Sequence, residues 1–163
     1  MDTLHSYWRM EYLKAPRRAD GTKENPFVAL PEKRDDKAAF IVYRSQYAYL
    51  VLNIYPYNPG HLLVVPYREV SELEALSEAE RNDFMATLVK GKRILQQAFS
   101  PDGFNIGFNL GSAAGAGIPQ HLHGHIIPRW QGDTNFLPIV GKTRVLTQAL
   151  KDTWEKLVPY AAD

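Results

Sequence analysis

Alternating apolar and polar positions in the first half of the chain predict a β-sheet. Residues 40–44 (FIVYR) and 47–55 (YAYLVLNIY) are rich in β-branched and aromatic side chains, and the polar pair Ser45-Gln46 between them suits a hairpin turn. After the turn sequence PYNPG, residues 60–68 (GHLLVVPYR) carry an apolar run that is long for a surface strand. We therefore expect a third strand in the middle of the sheet.

Beyond residue 70 the apolar spacing becomes that of a helix. Ser77 followed three positions later by Glu80 is a capping box, and apolar residues then recur at helical spacing until the sequence PDG at residues 101–103. A second amphipathic helix is expected over residues 143–157. Its predicted buried side chains are those of Val145, Ala149, Trp154 and Leu157.

Two more strands and an irregular N-terminal segment complete the predicted organisation. Residues 104–109 and 121–130 alternate as strands do, and the glycine-rich sequence GSAAGAGIP separates them. Residues 1–38 show no apolar period and are interpreted as an irregular arm and loop. The order β-β-β-α-β-β-α predicts an α+β fold in one domain, residues 1–163, with a five-stranded, largely antiparallel meander and two main helices.

Composition narrows the function classes. The chain has 163 residues, of which 45% are hydrophobic, and its 19 basic and 18 acidic residues give a net charge of +1. That charge provides no field that would attract nucleic acid or an anionic membrane. The absence of cysteine excludes disulfides, thiol nucleophiles and cysteine-ligated zinc. Without a signal-like start or an apolar run near the ~18 residues of a membrane span, we expect a soluble cytoplasmic protein.

Three of the five histidines stand at alternate positions: His121, His123 and His125. On a strand, alternation directs all three rings to one face. They could be structural histidines with hydrogen-bond partners, or His121 and His123 could hold a metal ion with a distant ligand. All three cannot hold one ion, because the outer Cα atoms would lie ~13 Å apart. The third interpretation is a neutral imidazole nucleophile that attacks phosphorus while its other nitrogen donates to a backbone carbonyl.

The loop just before the histidines, residues 109–117 (NLGSAAGAG), suits a phosphate. Glycines allow backbone N–H groups to converge on phosphate oxygens, and the side chains of Asn109 and Ser112 add polar groups. A glycine-rich loop can equally be a flexible turn. Its position next to the histidines is what favours phosphate binding.

The sequence QHLHGHIIPRW, residues 120–130, resembles the signature of the histidine triad superfamily, with Gly124 in place of the usual hydrophobic residue. The resemblance extends to NLGSAAGAG and to LNIYPYNPGHLLVVP, residues 52–66. The sequences PRWQGDTNF (residues 128–136) and WRMEY (residues 8–12) are similar to the branch that contains fragile-histidine-triad hydrolases and bacterial diadenosine tetraphosphate phosphorylases. The resemblance implies the histidine triad fold and cleavage of dinucleoside polyphosphates through a covalent nucleotidyl-histidine, with phosphorolysis favoured over hydrolysis.

The resemblance also implies roles for individual residues. His123 would be the nucleophile, and His121 and His125 would position the phosphate and manage its protons. Asn53 would bind the ribose, although its position is explained equally well if it only ends a strand at a turn. Asn109 would contact the α-phosphate. His61 would brace the site from the third strand. Leu63 and Val51 would form either an adenine slot or plain core, and Trp130 would either close the pocket or simply be buried. The other implied substrate-binding residues lie in and after the loop: Ser112, Gly115, Ala116, Gly117 and Gln120.

Two departures from the family pattern change the expectations. Many relatives bind zinc through a Cys-x-x-Cys pair, which corresponds here to residues 25–28 (NPFV), so we expect no metal site. Relatives also place Ser or Gln where this chain has Ala116 and Gly117, which leaves only backbone donors there. Together with Gly124, this motivates the alternative of a purine-nucleotide-binding module with little turnover.

The remaining expectations concern partners. The expected ligand is an adenine nucleotide or dinucleotide, no resident cofactor is expected, and a divalent cation on the substrate polyphosphate is left open. The family resemblance implies a homodimer. A break in the long helix at Gly91-Lys92 would offer a face for the second copy, although a helix that packs on its own core is an equal reading.

Overall fold

The sheet is the framework of the molecule. The computed structural model describes residues 25–133 and 148–162. The strands are β1 (Ile41–Arg44), β2 (Ala48–Leu52), β3 (Leu62–Pro66), β4 (Gly103–Phe108) and β5 (Gly124–Arg129). All neighbouring strands are antiparallel, in the order β1-β2-β3-β5-β4. The α+β class, the five antiparallel strands and the central position of the third strand are confirmed.

The strand order differs from a simple meander in its second half. β1, β2 and β3 follow one another across the sheet, but β5 then lies between β3 and β4. The long helix carries the chain from β3 past the position of β5, so β4 forms at the edge and β5 returns into the gap. Apolar alternation indicates that a segment is a strand but not which neighbour it pairs with.

Among the described residues, four α-helices accompany the sheet: α1 (Pro26–Glu32), α2 (Asp36–Ala39), α3 (Glu78–Phe99) and α4 (Leu150–Leu157). The capping box that starts α3 is confirmed, because the Ser77 hydroxyl accepts from the Glu80 N–H and the Glu80 carboxylate accepts from the Ser77 N–H. α3 ends where Ser100 takes a left-handed conformation with φ of 47°. No helix among the described residues is both long enough and apolar enough to cross a membrane.

The last helix is confirmed in part. Residues 143–147, with Val145, lie outside the described residues, and α4 begins at Leu150. Leu157 is fully buried, and half-buried Trp154 donates its indole N–H to the carbonyl of Ile41 at 2.8 Å. The predicted burial of Ala149 is wrong, because this residue precedes the first helical turn with an extended backbone and is exposed.

The predicted irregular segment is helical where it is described. Residues 1–24, which include WRMEY, lie outside the described residues, but α1 and α2 occupy most of 26–39. Asn25 caps α1 by accepting from the Phe27 N–H, and Pro26 takes the first helical position, where its missing N–H costs nothing. Pro31 cannot donate to the Phe27 carbonyl four residues earlier, and the Tyr49 hydroxyl donates to that carbonyl instead, at 2.7 Å.

Alternate residues of each strand divide the sheet into two faces. We call the first the α3 face: it comprises Leu50, Leu62, Val64 and Ile126, buried beneath Phe84, Leu88, Ile94 and Leu95 of α3. We call the second the site face: it comprises Ile41, Tyr49, Val51, Leu63 and Val65, packed with Phe27, Ala39 and Ile118. The register pairs Val51 with Leu63 and Leu63 with His125, which places this histidine on the site face.

The long helix approaches the sheet most closely at Gly91. A Cβ atom added there would lie 2.8 Å from Cδ1 of Ile126 and 3.0 Å from Cδ2 of Leu50. The expected helix break at this point is wrong, because α3 is continuous and Gly91 is buried against the sheet. At Gly91 the helix therefore packs on the core of its own chain, which is one of the two interpretations that the sequence left open.

Candidate active site

A cavity of about 300 Å³ opens over the site face. Its floor is the sheet, one wall is formed by α1 and α2, and its rim is formed by the loop after β2 and by the glycine-rich loop. Most of its surface is apolar, and its histidine and asparagine side chains lie close together. The lining residues are Pro26, Phe27, Leu30, Ala38, Ala39, Phe40, Val51, Leu52, Asn53, Ile54, Tyr55, Tyr57, Leu63, Asn109, Gly115, Gly117, Ile118, His123 and His125.

The strand that carries the histidines is shorter than predicted. β5 begins at Gly124, so His125 is the one member of the triad on a regular strand. His121 follows a turn in which its N–H donates to the Ile118 carbonyl, at 3.1 Å. The rings of His123 and His125 remain neighbours, with centroids 5.2 Å apart. All three histidines are buried, and each ring has its own hydrogen-bond partner.

His123 has the geometry of a nucleophile. Its Nδ1 lies 2.8 Å from the carbonyl oxygen of His121, and since that oxygen can only accept, Nδ1 carries the proton. Burial lowers the pKa of His123 below its ordinary value, and the carbonyl contact opposes this only in part. The ring is therefore neutral near pH 7, with a lone pair on Nε2, and it lines the cavity.

His121 lies behind the cavity lining and has a partner on each nitrogen. Nε2 donates to the Pro66 carbonyl at 2.8 Å, and Nδ1 lies 2.9 Å from the side-chain amide nitrogen of Asn25. Burial lowers the pKa of His121, opposed by the Pro66 carbonyl and by Glu69. This arrangement leaves neither ring nitrogen for a metal ion. The segment that corresponds to the zinc-binding Cys-x-x-Cys pair of relatives thus supplies an amide here, and its residues do not fit a zinc site.

His125 receives a hydrogen bond from His61, which is fully buried behind it. The backbone N–H of Tyr57 donates to Nδ1 of His61 at 3.1 Å, so the proton of His61 is on Nε2 and points to Nδ1 of His125, 2.9 Å away. Neutral His125 then carries its own proton on Nε2, which lies 3.4 Å from the side-chain amide nitrogen of Asn109; both groups are donors, so this contact is not a hydrogen bond. Burial, and after it the neighbouring His123, lower the pKa of His125 to about 4. The expected bracing role of His61 agrees with this contact.

Asn53 and Asn109 both line the cavity. The Asn53 backbone N–H donates to the His61 carbonyl at 2.9 Å, and its side-chain oxygen accepts from the Tyr55 N–H at 2.9 Å. Asn53 is therefore both a turn residue and a cavity residue, and the two readings of the sequence are compatible. Its amide nitrogen lies 3.4 Å from Nδ1 of His61.

The glycine-rich loop differs from the expected phosphate cradle. Gly115 and Gly117 line the cavity, whereas Ser112, Ala116 and Gln120 do not. The backbone N–H groups of Gly115 and Ala116 donate within the loop, to the carbonyls of Ser112 at 3.0 Å and Gly111 at 3.4 Å. Those two N–H groups are occupied in this conformation. Asn109 and His125 are the polar side chains beside the loop that face the cavity.

Gly124, the departure from the family signature, is compensated by its neighbours. A Cβ atom added there would lie 2.9 Å from Cε1 of Phe108 and 2.9 Å from Cγ1 of Val64. The Phe108 ring thus occupies the space that a larger residue would need. Gly124 therefore does not loosen the strand between His123 and His125, and this part of the case for a module with little turnover is weakened.

The remaining sequence predictions divide between cavity and surroundings. Val51 and Leu63 line the cavity, as an adenine slot requires. Trp130 does not line it; its ring packs edge-on against Phe99, with centroids 6.5 Å apart. The sequence reasoning missed the wall formed by α1 and α2. The signal was present in Asn25-Pro26, which is a helix start, and in the spacing of Phe27 and Leu30.

Comparison with known proteins assigns the family. The profile of the HIT domain matches residues 34–132. The chain belongs to the HIT domain family. That this HIT domain extends over residues 1–163 stays a prediction.

Relatives within the HIT family include enzymes. An AP-4-A phosphorylase of Mycobacterium tuberculosis is 45% identical over 160 residues, which cover 93% of this chain and 82% of that protein. An asymmetrical bis(5'-nucleosyl)-tetraphosphatase of Schizosaccharomyces pombe is 37% identical over 93 residues, covering 57% of this chain and 50% of that protein. A hypothetical histidine triad nucleotide-binding protein of Sulfolobus tokodaii has the same fold, with a TM-score of 0.69 and 22% identity over 85% of this chain and 92% of that one.

Proposed function

We propose that the protein cleaves dinucleoside polyphosphates, such as diadenosine tetraphosphate, by transferring a nucleotidyl group to His123. The observation that carries this proposal is the neutral His123 ring, buried in the cavity with Nδ1–H on a backbone carbonyl and a lone pair on Nε2. The 45% identity to an AP-4-A phosphorylase supports the substrate class. A mostly apolar cavity that is also lined by two histidines and two asparagines suits a nucleotide.

The proposed first step forms one bond and breaks one. Nε2 of His123 bonds to the α-phosphorus, and the bond from that phosphorus to the oxygen shared with the β-phosphate breaks. The leaving oxygen departs as a phosphate oxyanion, which needs no proton near pH 7, and Nε2–H of His125, which His61 holds in the donor form, donates a hydrogen bond to it. The nucleotidyl-imidazole becomes cationic, and the His121 carbonyl on Nδ1 stabilises that charge.

In the second step an acceptor oxygen replaces His123. Inorganic phosphate or water attacks the α-phosphorus, the bond from nitrogen to phosphorus breaks and its electron pair returns to Nε2 of His123, and the proton of the acceptor is released to the solvent. The apolar walls at Phe27 and Leu63 would hold the base, Asn53 the ribose and Asn109 the α-phosphate. No Lys or Arg is among the described residues that line the cavity. A divalent cation bound to the polyphosphate would therefore neutralise its negative charge.

Phosphorolysis is the outcome we favour, and product analysis tests it. Diadenosine tetraphosphate is incubated with and without inorganic phosphate, and the nucleotides are separated by chromatography. A phosphorylase yields ATP and ADP only when phosphate is present, whereas a hydrolase yields AMP and ATP in both reactions. AMP and ATP in both reactions would contradict phosphorolysis, and His123→Ala is the control for contaminating activity.

One observation favours a second candidate, a nucleotide-binding module with little turnover. The N–H groups of Gly115 and Ala116 are hydrogen-bonded inside the loop, so the structure offers fewer phosphate donors than the sequence suggests. Tight binding of adenine nucleotides without cleavage of any dinucleoside polyphosphate in a substrate panel would establish it.

The homodimer and the cytoplasmic location also stay predictions. Exposed apolar side chains lie on α3, at Met85 and Val89, and on the edge strand β4, at Ile106, and a second copy of the chain would cover them. Light scattering is expected to give twice the mass of one chain. A monomer at micromolar concentration would contradict the dimer.

A further inference from the structure

The side chain of Asn25 makes two hydrogen bonds that fix its orientation. The oxygen accepts from the Phe27 N–H at 3.0 Å, so the amide nitrogen must be the atom that faces Nδ1 of His121, 2.9 Å away. Asn25 is 3% exposed, and burial leaves its amide little freedom to turn. Reversing the amide would set its NH₂ against the Phe27 N–H, two donors facing each other.

This orientation dictates the protonation form of His121. The amide nitrogen donates, so Nδ1 must accept, and the proton of the neutral ring is on Nε2, where the Pro66 carbonyl receives it. The ring is thus held between one donor and one acceptor, which are complementary only to the neutral Nε2–H form. An acidic side chain at position 25 would favour the opposite state, a ring protonated on both nitrogens.

His121 is in turn hydrogen-bonded to the proposed nucleophile, His123. The backbone carbonyl of His121 accepts from Nδ1 of His123, so the position of residue 121 sets the direction of the attacking lone pair. The Phe27 ring, two residues after Asn25, contacts both histidines, with centroids 5.6 Å from His121 and 5.1 Å from His123. The start of α1 is therefore connected to both rings, by a hydrogen bond and by packing.

We propose that Asn25 is a positioning residue of the reaction, which holds His121 as the neutral Nε2–H form and through it orients His123. Helix capping alone does not require an amide, because Asp and Ser cap equally well. The amide is needed where a donor must meet Nδ1 of His121. The importance for catalysis rests on the proposed function, whereas the effect on His121 does not.

The test compares Asn25→Asp and Asn25→Ser with Tyr49→Phe. Both Asn25 variants keep a helix cap and remove the donor to His121; Asp also places a carboxylate against Nδ1. Tyr49→Phe removes the hydroxyl that donates to the Phe27 carbonyl, so it loosens α1 without changing the partners of His121. Nitrogen-15 NMR of the free protein reports which nitrogen of His121 is protonated, and steady-state kinetics give kcat and KM.

We expect Asn25→Asp to protonate Nδ1 of His121 near neutral pH, where wild type keeps it unprotonated. Glu69 and His123 are the ionisable groups that also act on His121, and both are unchanged in the variants. The kcat should fall about tenfold in both Asn25 variants with KM within threefold, as for loss of a partner that orients a functional histidine. Tyr49→Phe should raise KM and leave the His121 signals unchanged.

The outcomes separate the two levels of the proposal. A His121 signal in Asn25→Ser and Asn25→Asp identical to wild type would overturn the proposed hydrogen bond, whatever reaction the protein performs. A shifted signal with unchanged kcat would overturn the positioning role. If wild type cleaves no dinucleoside polyphosphate, the proposed function fails, and the NMR comparison still decides whether Asn25 sets the form of His121.

Discussion

The two faces of the sheet are built on the same strands but are covered in different ways. On the α3 face, Leu62 and Ile126 are fully buried in an apolar core under one long helix, whose polar contacts with the sheet, from Asp83 and Thr87, are made to the turn between β1 and β2. On the site face, the next residues along the same strands, Leu63 and His125, border a cavity. Of two neighbouring residues on one strand, one therefore belongs to the core and the other to the candidate active site.

The site face is held together by directional polar contacts. The Tyr49 hydroxyl donates to the Phe27 carbonyl, and Arg44 bridges Asp36 at 2.7 Å and the Pro31 carbonyl at 3.1 Å. These contacts fix α1 and α2 at a distance from the sheet, whereas close apolar packing would close the gap. The site face thus holds an open cavity beside polar contacts, whereas close apolar packing fills the core of the α3 face.

The strongest test of this division is His123→Ala. The variant should lose several orders of magnitude in kcat, because the lone pair that forms the covalent bond is removed. Nucleotide affinity should stay within about tenfold, since the apolar walls and the asparagines remain. Steady-state kinetics and equilibrium binding measure the two quantities, and retention of more than a tenth of wild-type turnover would show the mechanism to be wrong.

A matched pair on β3 compares the faces directly. Leu62→Ala removes a fully buried side chain under α3 and should lower the free energy of unfolding by about 3 to 4 kcal/mol. Leu63→Ala should cost about 2 kcal/mol, at the low end for a buried leucine, because its side chain already borders a cavity, and it should raise the KM for the nucleotide. Urea denaturation measures both, and equal losses would contradict the distinction between the faces.

The pH dependence of stability tests the buried histidines of the site face. The pKa of His125 is lowered to about 4 in the folded protein, so between pH 6.5 and 4 the unfolded chain binds more protons than the folded one. Stability should therefore fall as the pH falls through this window, by roughly 3 kcal/mol for this residue. Urea denaturation at several pH values should show a shallower slope for His125→Gln, and an unchanged slope would contradict the shift.

Gly91→Ala tests how tightly the α3 face is closed. Alanine should gain about 1 kcal/mol from helix propensity, but its Cβ would lie 2.8 Å from Cδ1 of Ile126, and such overpacking costs about 1 to 3 kcal/mol. We expect a net destabilisation of about 1 kcal/mol in thermal or urea unfolding, with kcat unchanged. A stabilised variant would mean that the helix can move away from the sheet at little cost.

Much of the fold could be predicted because its signals are local. The capping box at Ser77, the apolar run of β3 and the alternation of β1 and β2 depend on neighbouring residues, and each appears in the structure where the pattern indicates it. The helix start at Asn25-Pro26 was also local but was hidden among charged residues. The insertion of β5 between β3 and β4 depends on residues far apart in the chain, which no local pattern specifies.

The chain by itself determined which residues could do chemistry; the tertiary structure decided what each of them is bonded to. The alternation of His121, His123 and His125 and the loop before them are visible in the printed sequence. The proton on each ring is not, because it depends on the Asn25 amide at the start of α1 and on His61 and the Pro66 carbonyl at the two ends of β3. A tautomer is set by the partners that meet in space, and only folding brings those partners together.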